Sequence, residues 1–255
     1  MNHNICFIGA GNLATHLSKE LQRNGYKISQ VYSRSVASAK ELGEKLNTSF
    51  TTSVAGIDSS ADVFFVALKD SAVKEVLSQI DFQNKLVVHC SGSLPITVLD
   101  EYSDNIGVLY PLQTFSKNRD LDFHKIPVFV EANTKENEQI LFEIAGKISE
   151  TTSALDSGRR KSLHISAVFA CNFVNHFYFI ASQILKSDNI SFDVLRPLIL
   201  ETAEKVQQLD PFSAQTGPAV RFDEKIINDH LSKLNEFPEY QELYNSISKS
   251  IFEHH

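Results

Sequence analysis

The chain begins with Ile5-Cys6-Phe7-Ile8-Gly9-Ala10-Gly11-Asn12-Leu13-Ala14, an apolar run that passes directly into a glycine-spaced helix start. Residues 5–8 read as a buried strand, and Leu13, Ala14, Leu17 and Leu21 recur at helical spacing until Asn24-Gly25 supplies a stop. Strand, tight turn and helix follow without a gap. Gly9 can take a turn geometry denied to side chains, Gly11 lets the backbone approach a pyrophosphate, and small Ala14 lets the helix lie close on its strand. Free N–H groups around Asn12 and Leu13 then face an anion, aided by the helix dipole. These features mark Gly9, Ala10, Gly11, Asn12 and Leu13 as the expected phosphate cradle of a dinucleotide. An ordinary strand-to-helix turn is the alternative.

The same rhythm continues. Strands are expected at residues 28–33, 49–52, 61–68, 85–90, 106–109 and 127–130, and helices at 35–46, after an Asp70 cap, and at 135–148. Alternating strands and helices predict an α/β fold with a Rossmann-type, doubly wound parallel sheet. From Gly158 onward only helical patterns appear, broken at Ser187-Asp188-Asn189, Asp210-Pro211 and Phe237-Pro238. The polar, turn-rich segment 152–158 is the expected boundary. It divides a nucleotide-binding domain (1–152) from an all-α substrate and dimerisation domain (153–255).

Composition narrows the function. The 255 residues are 42% hydrophobic with a net charge of -7, enough for a sizeable core and unfavourable for nucleic acid as the main partner. No run of about 20 apolar residues stands out, and residues 1–4 lead straight into the first strand, so the expectation is a cytoplasmic protein without signal peptide or membrane span. Cys6, Cys90 and Cys171 are far apart in apolar surroundings and suggest neither a disulfide framework nor a metal site.

The end of the second strand bears on the choice of cofactor. An NAD site usually places a carboxylate there to accept the ribose hydroxyls, whereas this chain has Ser33-Arg34-Ser35, with Ser33 standing 22 residues after Gly11. Two hydroxyls flanking a guanidinium suit a 2′-phosphate, so NADP is expected. The alternative is that both serines cap a helix and Arg34 is a solvated charge. The next strand ends bring Leu68 and Lys69 to the middle of the cofactor and Ser91 and Gly92 toward its nicotinamide.

The helix beginning near Arg159 is apolar on most sides, yet Lys161, His164, Asn172 and Asn175 share one stripe. Lys161 and His164 lie about 4.5 Å apart along the axis and Lys161 and Asn172 roughly 16 Å, so the four cannot surround one reacting centre. Lys161 and His164 are the expected acid–base pair, protonating a carbonyl oxygen or imine nitrogen, while Asn172 and Asn175 orient substrate or join helices. A basic helix start with a satisfied histidine behind it is the plain alternative.

The Gly9–Ala14 turn, Ser33-Arg34-Ser35, Val66-Ala67-Leu68-Lys69 and the helical second half resemble the superfamily of pyrroline-5-carboxylate reductase, β-hydroxyacid dehydrogenases and 6-phosphogluconate dehydrogenase. More narrowly, His89-Cys90-Ser91-Gly92-Ser93, Tyr110-Pro111-Leu112-Gln113-Thr114-Phe115 and Thr216-Gly217-Pro218-Ala219-Val220-Arg221 are similar to bacterial Rossmann-like oxidoreductases with an uncharacterised C-terminal domain, labelled deazaflavin-dependent NADP oxidoreductases. Lys161-Ser162-Leu163-His164 resembles the lysine–histidine spacing of 6-phosphogluconate dehydrogenase, with Ile165 where that family has asparagine. The resemblance implies hydride transfer between NADP and a small carbonyl, hydroxy-acid or imine substrate. The substrate cleft is expected between the domains, with Arg221 as an anion-binding residue near Thr216-Gly217-Pro218 or else a structural or solvated loop arginine, and long apolar helices such as 158–185, which can bury a second face against a partner, predict a homodimer joined through the helical halves. A non-catalytic NADP-binding sensor is the other reading the fold allows.

Overall fold

The computed structural model describes residues 3–255. Eight strands form one sheet: β1 (Asn4–Ile8), β2 (Lys27–Tyr32), β3 (Ser49–Thr51), β4 (Val63–Val66), β5 (Leu86–His89), β6 (Ile106–Pro111), β7 (Val128–Ala132) and β8 (Thr152–Ala154). Their order is β3-β2-β1-β4-β5-β6-β7-β8. The order reverses between β1 and β4, the switch point where a doubly wound sheet opens a crevice at its carboxyl ends. All pairings are parallel except β6 with β7.

Alternation along each strand builds a core on both faces of the sheet. Ile5, Phe7 and Phe65 point to the face covered by α1 (Asn12–Arg23), α2 (Val36–Leu46) and α4 (Lys135–Ile148), where Leu17, Leu42 and Ile144 are buried. Cys6, Ile8 and Phe64 point to the other, packed by Val73, Val76 and Leu77 of α3 (Val73–Leu77). Phe7 stacks on Phe65 at 5.4 Å between ring centres, and Phe64 meets Phe82 edge-on at 5.1 Å.

Two sequence expectations need correction. Residues 152–154 are a strand paired with β7, not part of a linker; three residues with one half-buried carry no readable period. The chain divides into compact units between Asn172 and Phe173, beyond the expected boundary at 152/153. That point lies within a continuous helix, α5 (Ser157–Ala167), a π-helical turn (Val168–Phe173) and α6 (Val174–Ser187), so the change in composition near residue 155 does not mark a change in packing.

This helix also bears on the membrane expectation. Its 31 residues from Ser157 to Ser187 are long and apolar enough, with a mean hydropathy of 1.3 over the most apolar window, to cross a membrane by length and composition, although no such run was read from the sequence. The mostly buried core helix of a soluble protein passes the same test, but in this window none of the residues is buried.

The second unit is helical: α6 is followed by α7 (Arg196–Lys205), α8 (Pro211–Ala214), α9 (Glu224–Lys233) and α10 (Pro238–His254). Its breaks match the sequence punctuation. Asp210 caps α8 through Phe212 and Ser213 N–H, and Pro238 opens α10.

Candidate active site

The β1–α1 turn has the geometry of an anion cradle. Gly9 has φ +126°, and a Cβ there would lie 2.3 Å from the Ala67 carbonyl oxygen, so only glycine fits. A Cβ on Gly11 would meet nothing within 4 Å, which leaves its outer side open to a ligand. Helix α1 starts with no side-chain cap and no acidic residue in its first turn. Its first N–H groups and positive dipole end therefore suit a phosphate.

Gly9, Ala10, Gly11, Ser33, Arg34 and Ser35 line one cleft of about 500 Å³ together with Leu68 and Lys69. Asn12, Leu13, Leu68, Lys69 and Ser91 line a cleft of about 400 Å³ that shares Gly11 with the first. Ser35 Oγ also caps α2 by accepting from Ser38 N at 3.3 Å, and Ser33 Oγ accepts from Ser35 N at 3.3 Å. Arg34 lies 3.3 Å from Glu75, an exposed pair that costs little to open. Ser35 thus caps α2 while still lining the cleft, and Ser33 lines it without capping the helix.

A third cleft, of about 550 Å³, lies where β6 and the segment after it face α5. Tyr110 and His164 line it, with Tyr110 Oη 3.0 Å from His164 Nδ1. Gly92, expected beside the nicotinamide, is also built against this pair. A Cβ on Gly92 would lie 2.6 Å from His164 Nδ1 and 2.9 Å from Tyr110 Cζ. Burial raises the Tyr110 pKa, opposed by nearby Arg160, so the phenol keeps its proton at neutral pH. The π-helical turn contributes Ala170, Cys171 and Asn172 to the cleft wall, and such turns are frequent at functional sites.

Arg160 fixes the start of α5. Read from sequence as part of a basic helix start, it is 1% exposed, the largest fully buried side chain among the described residues. It pairs with Glu131 of β7, donates to the Leu94 carbonyl at 2.6 Å and reaches Ser157 Oγ at 3.2 Å. Glu131 also accepts from Ser157 N at 3.0 Å, and Ser157 Oγ accepts from Ile96 N at 2.9 Å. Sheet, β5 loop and helix are joined one turn before His164.

His89, beneath the same loop, accepts from Ser91 N at 3.1 Å. Burial first, and Arg160 second, lower its pKa to about 3, against a smaller raising contact with the Pro95 backbone. Asn12 Nδ2 donates to the Phe115 carbonyl at 2.9 Å, which ties the cradle to the segment after Thr114.

Comparison with known proteins gives this geometry a family. At 48% identity, the chain matches 99% of its own length and 98% of a Bacteroides fragilis protein described as a "putative NADP oxidoreductase", with a TM-score of 0.95. The chain belongs to this NADP oxidoreductase family. Residues 4–92 match the family model "NADP oxidoreductase coenzyme F420-dependent", and residues 126–251 match "Domain of unknown function (DUF2520)". A pyrroline-5-carboxylate reductase from Vibrio alginolyticus is 30% identical over 102 residues, 38% of each chain. The match thus spans well under half of that relative's length. An imine reductase from Myxococcus stipitatus in complex with NADP+ shares the fold at 15% identity, with a TM-score of 0.67 over 98% of this chain and 92% of that one.

In this chain every residue expected at the cofactor lines one of the two cradle clefts except Gly92, which packs against Tyr110 and His164. His164 and Asn172 line the third cleft; Lys161, Asn175 and Arg221 are exposed and are not among the residues lining it. Helical periodicity put Lys161 and His164 on one stripe but carried no information about what the stripe faces. Tyr110 was missed as a functional residue because a tyrosine at a strand end reads as core. Its place in the Tyr110–Phe115 motif was the available signal.

Proposed function

We propose that the protein uses NADPH to reduce a C=N or C=O bond of a small molecule, with Tyr110 and His164 supplying the proton. The observation that carries this reading is Tyr110 Oη at 3.0 Å from His164 Nδ1, against Gly92, in a cleft of about 550 Å³. NADPH, when bound, supplies the hydride. The α1 N-terminus and the Gly9–Gly11 turn would hold its pyrophosphate, and Arg34 with Ser33 and Ser35 its 2′-phosphate. An unpaired carboxylate at this position would repel that phosphate.

Tyr110 acts as the acid. With the His164 Nδ1–H tautomer donating to Tyr110 Oη, the phenol hydrogen is free for the nitrogen or oxygen that gains electrons, and the same Nδ1–H then stabilises the phenolate. His164 relays the replacing proton from solvent. Leu112, Leu163 and Ala167 give the cleft wall beside the pair an apolar stretch that strengthens this exchange.

The same reading takes the protein as a cytoplasmic homodimer joined through its helical unit. Phe179, Leu198, Leu200 and Phe212 stand 50%, 62%, 58% and 60% exposed there, an apolar area of the kind that marks an interface. Cys6, Cys90 and Cys171 are free thiols, as a reducing compartment favours. Sedimentation at twice the chain mass supports the dimer, and a monomer at micromolar concentration contradicts it.

The activity is tested by following NADPH oxidation with cyclic imines and ketones in wild type and Tyr110→Phe. Turnover that falls at least about 100-fold in the variant, with NADPH affinity unchanged, is expected. An equally active Tyr110→Phe protein overturns the reading.

A further inference from the structure

We propose that the cleft beside Tyr110 and His164 takes uncharged carbonyl or imine compounds with an apolar body, and discriminates against those carrying a carboxylate or phosphate. The inference rests on the reductase reading and adds the substrate class. None of the residues lining the cleft is Asp, Glu, Lys or Arg. Leu112, Leu163, Ala167 and Ala170 give it an apolar wall, and its polar groups beyond the proton-donating pair and the Cys171 thiol are neutral: Gln113, Thr114, Ser166 and Asn172.

The nearby cations offer no substitute. Arg160 is committed to Glu131 and the Leu94 carbonyl, and Lys161, although one turn before His164, is exposed and not among the lining residues. An anion seated against the apolar wall gives up part of its hydration without gaining an opposite charge. A neutral molecule loses less and can be held by hydrogen bonds alone. Gln113 Oε1 is already engaged by Thr114 N at 2.8 Å, which leaves its amide hydrogens as donors for a ligand.

The cleft also sets a length. His164 and Asn172 are eight residues apart on one helix, roughly 12 Å along its axis. A substrate whose reducible bond lies at Tyr110 and whose amide or hydroxyl group lies some ten ångströms away (roughly, on the same helical rise) would reach both ends.

Matched pairs test the charge preference. Wild-type protein with NADPH is given 1-pyrroline and 1-pyrroline-2-carboxylate, then a phenyl-substituted methyl ketone and its ring-carboxylate analogue. The neutral member of each pair is expected to show at least a ~10-fold higher kcat/KM, the size a partly desolvated, unpaired charge produces. Ser166→Lys and Asn172→Arg, which place a cation in the wall, should each shift the ratio at least ~10-fold toward the carboxylates. Equal or preferential use of the carboxylates by wild type overturns the substrate class and leaves the reductase reading intact.

If no pair member oxidises NADPH, the reductase reading fails by itself. Calorimetric titration of the corresponding amines and alcohols into protein with NADP+ then decides the charge preference. Tighter binding of the neutral member supports it; tighter binding of the carboxylate, or binding of neither, overturns it.

Discussion

Replacing Arg160 with Met removes the cation that joins β7, the β5 loop and α5 while keeping most of the side-chain volume. The guanidinium, 1% exposed, pairs with Glu131 and bonds the Leu94 carbonyl and Ser157 Oγ. Without it, Glu131, whose side chain is 16% exposed, keeps its bonds from Ser157 but faces no cation. Breaking a buried pair by removing one partner costs about 3–5 kcal/mol, most of it from the stranded charge. Native-state hydrogen exchange of the β5–β7 amides reads the loss directly, because it reports opening of the first unit. Adding Glu131→Gln should recover about 1–2 kcal/mol, since the amide still accepts from Ser157 without a buried charge. A loss below about 1 kcal/mol in Arg160→Met, or a double variant no more stable than the single one, refutes the assignment of Arg160 as a buried clamp.

Three further outcomes follow from the site. Arg34→Ala should weaken NADPH binding about 10- to 100-fold and leave NADH within about 3-fold, the worth of a charge-assisted phosphate contact; equal losses for both, read by fluorescence titration, contradict it. His89 makes the protein acid-sensitive: its folded pKa of about 3 lies below the ordinary 6.5, so the unfolded chain binds the extra proton and stability falls as pH drops through 6.5 toward 3. Between pH 6.5 and 4.5 the contribution is about 2 kcal/mol, and urea titrations in which His89→Gln keeps the full slope would rule it out. Gly92→Ala forces a methyl into the 2.6 Å approach to His164 Nδ1 and should lower kcat about 100-fold with little change in NADPH affinity. Unchanged kcat would show that the Tyr110–His164 geometry does not limit turnover.

Much of the cofactor half was legible in the sequence because its signals are local. Gly9 takes the left-handed turn geometry its spacing implied, helix 135–148 has the expected ends, and the strands at residues 61–68 and 85–90 were visible as apolar runs longer than the hydrogen-bonded segments themselves. The third cleft was only half legible. His164 and Asn172 were marked by helical phase, but Tyr110, the partner of His164, lies 54 residues before it on another element, and no spacing rule connects the two. Arg160 was hidden for the opposite reason. Its flanks Arg159 and Lys161 are exposed and make it look like one of three solvated charges, whereas its fate is set by Glu131, 29 residues away. β8 and the π-helical turn escaped because three residues show no period and a turn widened by one residue changes no composition.

The central claim is that NADPH held at the Gly9–Gly11 cradle delivers its hydride beside Tyr110. A crystal structure with NADP+ bound tests it most directly. The account predicts the nicotinamide C4 within about 6 Å of Tyr110 Oη, room for one reacting bond approached at 3–3.5 Å, with the 2′-phosphate on Arg34. A nicotinamide ring turned away from Gly92 and more than about 10 Å from Tyr110, beyond the reach of such an approach, would contradict it.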